Sequence, residues 1–120
     1  MKINLKGTAV ELTPEISAYL QKRLKGVEKF LPKGDAFITD VELAKTTNHH
    51  HTGDIFRAEI NVHIGGKSFR AISEGQDLYS AIDSMKDQIT RELSSYKEKR
   101  LSLLRRSGQR LKNLLRKFYR

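Results

Sequence analysis

The chain has 120 residues, no cysteine, 38% hydrophobic residues and a formal net charge of +9. This length suits one domain with one core, and the lack of cysteine excludes a disulfide framework, a zinc–thiolate site and a thiol nucleophile. The opening Met1 to Leu12 has no long apolar run, which argues against a signal peptide; no segment approaches the ~20 apolar residues of a membrane-spanning helix, so the expectation is a basic, cytoplasmic protein.

Lys2 to Leu12 reads as a strand, with Ile3 and Leu5 alternating with Lys2, Asn4 and Lys6. Thr13-Pro14 then starts a helix, Thr as the cap and Pro in the first helical position. Ile16, Leu20, Leu24, Val27 and Leu31 recur at helical spacing, so the helix is predicted to run to about Leu31 and to close at Pro32-Lys33-Gly34. Lys22, Lys25 and Lys29 lie opposite the apolar arc, whereas Arg23 falls inside it and must reach outward along its stem.

Three strands follow. Ala36 to Thr46 places Phe37, Thr39, Val41 and Leu43 on one face and Asp40 and Glu42 on the other. A polar loop, Thr47 to Asp54, holds His49-His50-His51. Phe56, Ala58, Ile60, Val62 and Ile64 alternate with Arg57, Glu59, Asn61 and His63, the clearest strand pattern of the chain. Gly65-Gly66 is a two-residue hairpin turn, and Lys67 to Glu74 is the last strand. Asp77 caps a long second helix, whose stripe of Leu78, Ile82, Met85, Ile89, Leu93 and Tyr96 continues, with gaps at Arg100 and Ser107, through Leu103, Leu111, Leu114 and Phe118. Gly108 is the expected break or hinge. The order β-α-β-β-β-α predicts an α+β fold: a four-stranded mixed sheet, its first pair parallel, with both helices packed on one face. Residues 1–100 read as that domain and 101–120 as a basic amphipathic extension, helical or disordered.

The charge is segregated. Between Lys97 and Arg120 stand ten basic residues and one acid, Glu98, so this stretch holds the whole net charge and Met1 to Tyr96 is formally neutral. A neutral body with a cationic end implies a polyanionic partner, nucleic acid or anionic membrane. The histidine run reads as a solvated loop rather than a metal site, because three adjacent residues rarely converge on one ion. Gly65-Gly66-Lys67 lacks the spacing of a phosphate-binding loop, and no residue is marked as an activated nucleophile. The chain is therefore read as no enzyme, without metal, cofactor or small-molecule substrate. Lys22, Lys25 and Lys29, Arg91 and then Lys97, Lys99 and Arg100 would form one positive surface across the two helices, able to grip phosphates without reading sequence. Three readings of the tail stay open: an RNA-binding extension, a membrane-surface helix or a partner-binding helix. Arg106, Arg110 and Lys117 near the apolar arc lean the reading towards RNA, with no membrane expected.

Two blocks carry a resemblance. One runs from Val10-Glu11-Leu12-Thr13-Pro14 through Arg23 and Glu28-Lys29-Phe30. The other is Arg70 to Asp83, with its Glu-Gly-Gln-Asp-Leu-Tyr-Ser-Ala-Ile-Asp run, leading into Arg91-Glu92-Leu93 and Lys97 to Arg100. Over roughly Met1 to Arg100 the chain resembles the bacterial ribosome hibernation promoting factor / ribosome-associated inhibitor family. The resemblance implies the same β-α-β-β-β-α fold. It also implies binding to small-subunit ribosomal RNA in the decoding region, steric exclusion of mRNA and tRNA, and preservation of idle ribosomes under stress or in stationary phase. Arg23, Lys29, Arg91, Lys99 and Arg100 fall where the family places basic residues; Gly26, Gln88 and Ser95 stand where some relatives carry lysine, and Lys25 offers a replacement one residue away. The expected RNA-binding set is Lys22, Arg23, Lys25, Lys29, Lys86, Arg91, Lys97, Lys99, Arg100, Arg105, Arg106 and Arg110. The chain looks like a short-type member with a basic extension or a fragment of a longer form, and the sequence leaves homodimerisation open.

Overall fold

Strict alternation in the third predicted strand fixes an inner and an outer face for the whole sheet. The computed structural model describes residues 2–31, 37–47 and 53–118. Its elements are β1 (Ile3–Thr8), α1 (Pro14–Lys25), a 3-10 turn at Glu28–Phe30, β2 (Phe37–Thr47), β3 (Asp54–Ile64), β4 (Lys67–Gly75) and α2 (Leu78–Phe118). The sheet order is β1-β2-β3-β4. β1 is parallel to β2, with Leu5 opposite Val41, and the other pairs are antiparallel, with Val41 opposite Ile60 and Ile60 opposite Ala71. The expected α+β fold and its parallel first pair are thus present. Pro32, Lys33, Gly34, Ala36 and the His49-His50-His51 loop lie outside the described residues.

The inner face and the two helices share one core. Val41, Leu43, Ala58, Ile60 and Val62 from the sheet meet Leu20 and Leu24 of α1 and Ile82, Met85, Ile89 and Leu93 of α2, all almost wholly buried. Burial of each such side chain contributes roughly 1.5–3 kcal/mol. Ser73, buried on β4, is satisfied by α2: it donates to the Ser84 hydroxyl at 2.8 Å and accepts from Gln88 Nε2 at 2.7 Å. The Thr39 hydroxyl, fully buried in β2, has no hydrogen-bond partner among the described residues.

Three expectations differ from the structure by more than a single residue at a strand end. β1 stops at Thr8 rather than Leu12, because Ala9 takes a left-handed φ of 59° and turns the chain. Val10 and Leu12 then pack as partly buried residues against the core. α1 stops at Lys25 rather than Leu31: after Gly26 the chain tightens to three-residue hydrogen bonds, Val27 N to Leu24 O and Leu31 N to Glu28 O, both 3.0 Å. Val27 and Leu31 remain buried in that tighter geometry, so the apolar spacing alone did not distinguish the two. The third difference is at Gly108, where the expected break is absent and α2 continues helical to Phe118.

Both predicted caps are in place. The Ile16 amide donates to Thr13 Oγ1 at 3.3 Å and the Ser80 amide to Asp77 Oδ1 at 2.7 Å. Gly65, with φ of 58°, opens the β3–β4 turn as the sequence indicates. α2 has 41 residues, about 60 Å at ~1.5 Å per residue. It far outruns the sheet, and the molecule extends 74 Å along its long axis.

Candidate nucleic-acid interface

The seam between α1 and α2 is where cationic residues from distant parts of the chain meet. Its first turn is a neutralised cluster. Tyr19 donates to Asp83 Oδ1 at 2.6 Å, Arg23 donates to the Tyr19 hydroxyl at 3.0 Å, and Arg23 Nε lies 3.1 Å from the same carboxylate. The Tyr79 ring meets Tyr19 edge-on at 4.9 Å, and the Arg23 guanidinium sits 5.1 Å from the Tyr19 ring centre. The hydrogen bond to Asp83, helped by partial desolvation, pushes the Tyr19 hydroxyl above its ordinary pKa. Its bond to Tyr19 and the charge of Asp83 hold Arg23 more firmly protonated than usual. Arg23 therefore does leave the apolar arc, as the sequence requires, but it reaches α2 and ends beside an acid.

Further along the seam the balance turns positive. Lys86 is half-buried, its stem 4.0 Å from the position a Cβ on Gly26 would take and its ammonium 3.8 Å from Asp87. Lys97 donates from Nζ to the Lys29 carbonyl at 3.1 Å, which brings two cations 68 positions apart to one spot. Lys29 lies over the Phe30 ring at 5.1 Å. Arg100 follows one turn later, where Phe30, Leu31, Tyr96, Lys97, Leu101 and Leu104 surround an open groove of about 340 Å³.

The remaining expected residues are placed differently. Lys22 is exposed on α1, whereas Lys25 turns towards β1 and borders a shallow hollow with Ile3, Gln21, Leu24 and Glu28. The expected stripe of Lys22, Lys25 and Lys29 thus splits: Lys29, on the 3-10 turn, meets Lys97 of α2. Arg91 and Lys99 are exposed on α2 away from the seam, and Arg105, Arg106 and Arg110 stand on its projecting half, clear of the body. Charge along α2 runs from acidic at Asp83 and Asp87 to cationic beyond Tyr96.

The outer face of the sheet offers a contrast. There Arg57 pairs with Glu42 and Arg70 with Glu59, both at 2.6 Å, while Lys6 lies 3.8 Å from Glu42. Glu42 and Glu59 stand directly opposite each other, an unfavourable pairing offset by these cations. The basic residues of these pairs neutralise local acids of that face. Among the described residues no cluster of three or more metal-ligating side chains occurs.

Sequence reasoning singled out Arg23 as misplaced but could not name its partner. Asp83, Tyr19 and the Lys29–Lys97 contact left no periodic signal, because each joins residues on different helices.

Comparison with known proteins places this geometry. The model of the family described as "Sigma 54 modulation protein / S30EA ribosomal protein" matches residues 3–101. The ribosome hibernation promoting factor of Pseudomonas putida KT2440 is 31% identical over 110 residues, covering 92% of this chain and all of the relative. That of Klebsiella oxytoca is 29% identical over 99 residues, covering 82% of this chain and 96% of its own. Among solved structures, the N-terminal domain of Thermus thermophilus Protein Y superposes with a TM-score of 0.67 at 28% identity, covering 80% of this chain and 99% of that domain. The family match ends where α2 leaves the body, and it spans the sheet, α1 and the cationic seam: the chain belongs to the Sigma 54 modulation protein / S30EA ribosomal protein family, to which the ribosome hibernation promoting factors are its curated relatives.

Proposed function

We propose that this protein is a non-catalytic hibernation factor of the cytoplasm, which docks on the small ribosomal subunit and contacts its RNA in the decoding region. Bound there it excludes mRNA and tRNA by occupying their path, and it preserves idle ribosomes during stress or stationary phase. The observation that carries this reading is the family match over residues 3–101, to proteins whose names describe ribosome hibernation.

The chemistry agrees with that role. Lys22, Lys29, Lys86, Arg91, Lys97, Lys99 and Arg100 supply donors for phosphate oxygens, and Arg105, Arg106 and Arg110 extend the grip along the projecting helix. Arg23 acts within this set through its place on the seam, and Lys25 from the β1 side. Such contacts are electrostatic and indifferent to base sequence, so affinity comes from displaced counterions and specificity from shape.

Co-sedimentation with purified ribosomes across a salt series tests the proposal. Binding at low salt that weakens steeply as salt rises supports it. Failure to co-sediment at low salt removes it, and equal affinity for unrelated structured RNAs would replace it with a general RNA chaperone.

A further inference from the structure

Phosphate contacts leave one feature of this helix without a purpose. Because α2 runs unbroken through Gly108, residues 101–116 share a single helical frame. At about 100° per residue, Leu101, Leu103, Leu104, Leu111, Leu114 and Leu115 fall in one sector about 160° wide, with the small Ser107 and Gly108 between them. All six leucines are exposed, by 43–62%.

The cations have a definite place in the same frame. Arg106 and Arg110 line one edge of the leucine sector, and Lys112 and Arg105 line the other. The neutral Ser102, Gln109 and Asn113 occupy the centre of the polar side. No acid stands between Lys99 and Arg116. A helix built only to hold RNA phosphates would centre its cations opposite the leucines and would not need the leucines exposed. Two copies packed through the leucine sector would bring cations together along both edges of the seam, an arrangement that like charge opposes. The sector is also broader than a two-position coiled-coil stripe.

We propose that Leu101 to Arg116 is a surface-seeking helix for anionic lipid: it lies in the plane of a negatively charged bilayer, leucines towards the acyl chains. The edge arginines and lysine then sit at headgroup depth, where their stems run along apolar surface and their charges meet lipid phosphates. No helix of the described residues is long and apolar enough to cross a membrane, so the contact is a surface one. This goes beyond ribosome docking, and both polyanions would use Arg105, Arg106 and Arg110.

The test is flotation of the full chain with vesicles, free of ribosomes. Vesicles of phosphatidylcholine with an equal part of phosphatidylglycerol should bind it about tenfold or more tightly than phosphatidylcholine alone. The triple substitution Leu103→Ser, Leu111→Ser and Leu115→Ser, all at exposed positions outside the groove at Arg100, should abolish that binding while leaving the thermal melt of the α+β body and ribosome co-sedimentation in place. No binding to the anionic vesicles at low salt overturns the proposal, as does undiminished binding by the triple variant. A concentration-dependent dimer lost in the triple variant assigns the leucines to a second copy instead, and loss of ribosome binding by that variant assigns them to the ribosome. Vesicle binding that persists in a protein unable to bind ribosomes leaves this proposal standing and removes only the ribosome reading.

Discussion

The Tyr19 hydroxyl donates a 2.6 Å hydrogen bond to the Asp83 carboxylate, joining α1 to α2 across 64 positions of sequence. Arg23 closes the cluster from the same side of α1. The contact sits on the same seam as the bond from Lys97 to the Lys29 carbonyl. It therefore links the packing of the two helices to the shape of the surface they present.

Its pH dependence has a definite sign. The folded state holds the Tyr19 hydroxyl above its ordinary pKa of about 10. A raised folded value stabilises the protein fully below the unfolded pKa and loses that contribution as pH climbs through the folded one. Tyr19→Phe should lower the melting temperature near neutral pH and narrow the gap to the parent protein above about pH 10. Melts of both proteins from neutral to alkaline pH check this; a gap independent of pH would show that the hydroxyl is not coupled to Asp83.

The split of the lysine stripe makes a graded prediction. Lys29→Glu with Lys97→Glu should weaken ribosome binding by roughly tenfold or more at low salt and flatten the salt dependence by about two in slope, close to one per lost phosphate contact. Lys25→Glu, on the β1 side, should do less. Sedimentation isotherms at several salt concentrations, alongside unchanged circular dichroism melts, measure the difference. Equal effects would mean that both sides of α1 face the RNA.

At the centre of the sheet, Ile60 is fully buried. Ile60→Asp should unfold the domain, since an isolated buried carboxylate costs several kcal/mol, while Ile60→Val should cost only about 0.5–1.5 kcal/mol. Urea titrations of the two variants would show whether the register is right.

The Thr39 hydroxyl is buried without a partner among the described residues. Replacing it with a methyl group of similar shape removes a desolvation cost of about 1–3 kcal/mol. Thr39→Val should raise the urea midpoint without altering the slope, and a lowered midpoint would mean that the hydroxyl is bonded in solution.

Nothing lies within 4 Å of the position a Cβ on Gly108 would occupy, and its backbone is helical. Gly108→Ala should stabilise the projecting helix locally by about 1 kcal/mol. Amide hydrogen exchange between Leu101 and Arg116 should slow by several-fold, with the body unchanged. An unaltered exchange rate would argue that the helix pivots there.

Much of the fold was legible in the residues because it rests on local rules. Period-two alternation from Phe56 to Ile64 marked β3 and its inner face, Gly65-Gly66 marked the turn, and Thr13 and Asp77 marked two helix starts. These signals depend on neighbours a few positions apart, and the order of elements then left few topologies to choose from. Boundaries were less legible. The spacing of Leu24, Val27 and Leu31 suits an α-helix and a 3-10 turn alike, and Gly108 weakens a helix without ending it.

The sequence by itself determined that the chain carries a neutral body, a cationic end and the residues of a known family. Only the tertiary structure decided how that charge is arranged. It placed Asp83 against Arg23 and set Lys97 on the carbonyl of Lys29, because packing two helices on one sheet face brings together side chains that no periodicity relates. It also decided that α2 continues through Gly108, and that continuity alone gathers the leucines of residues 101–116 into one sector with cations along both its edges.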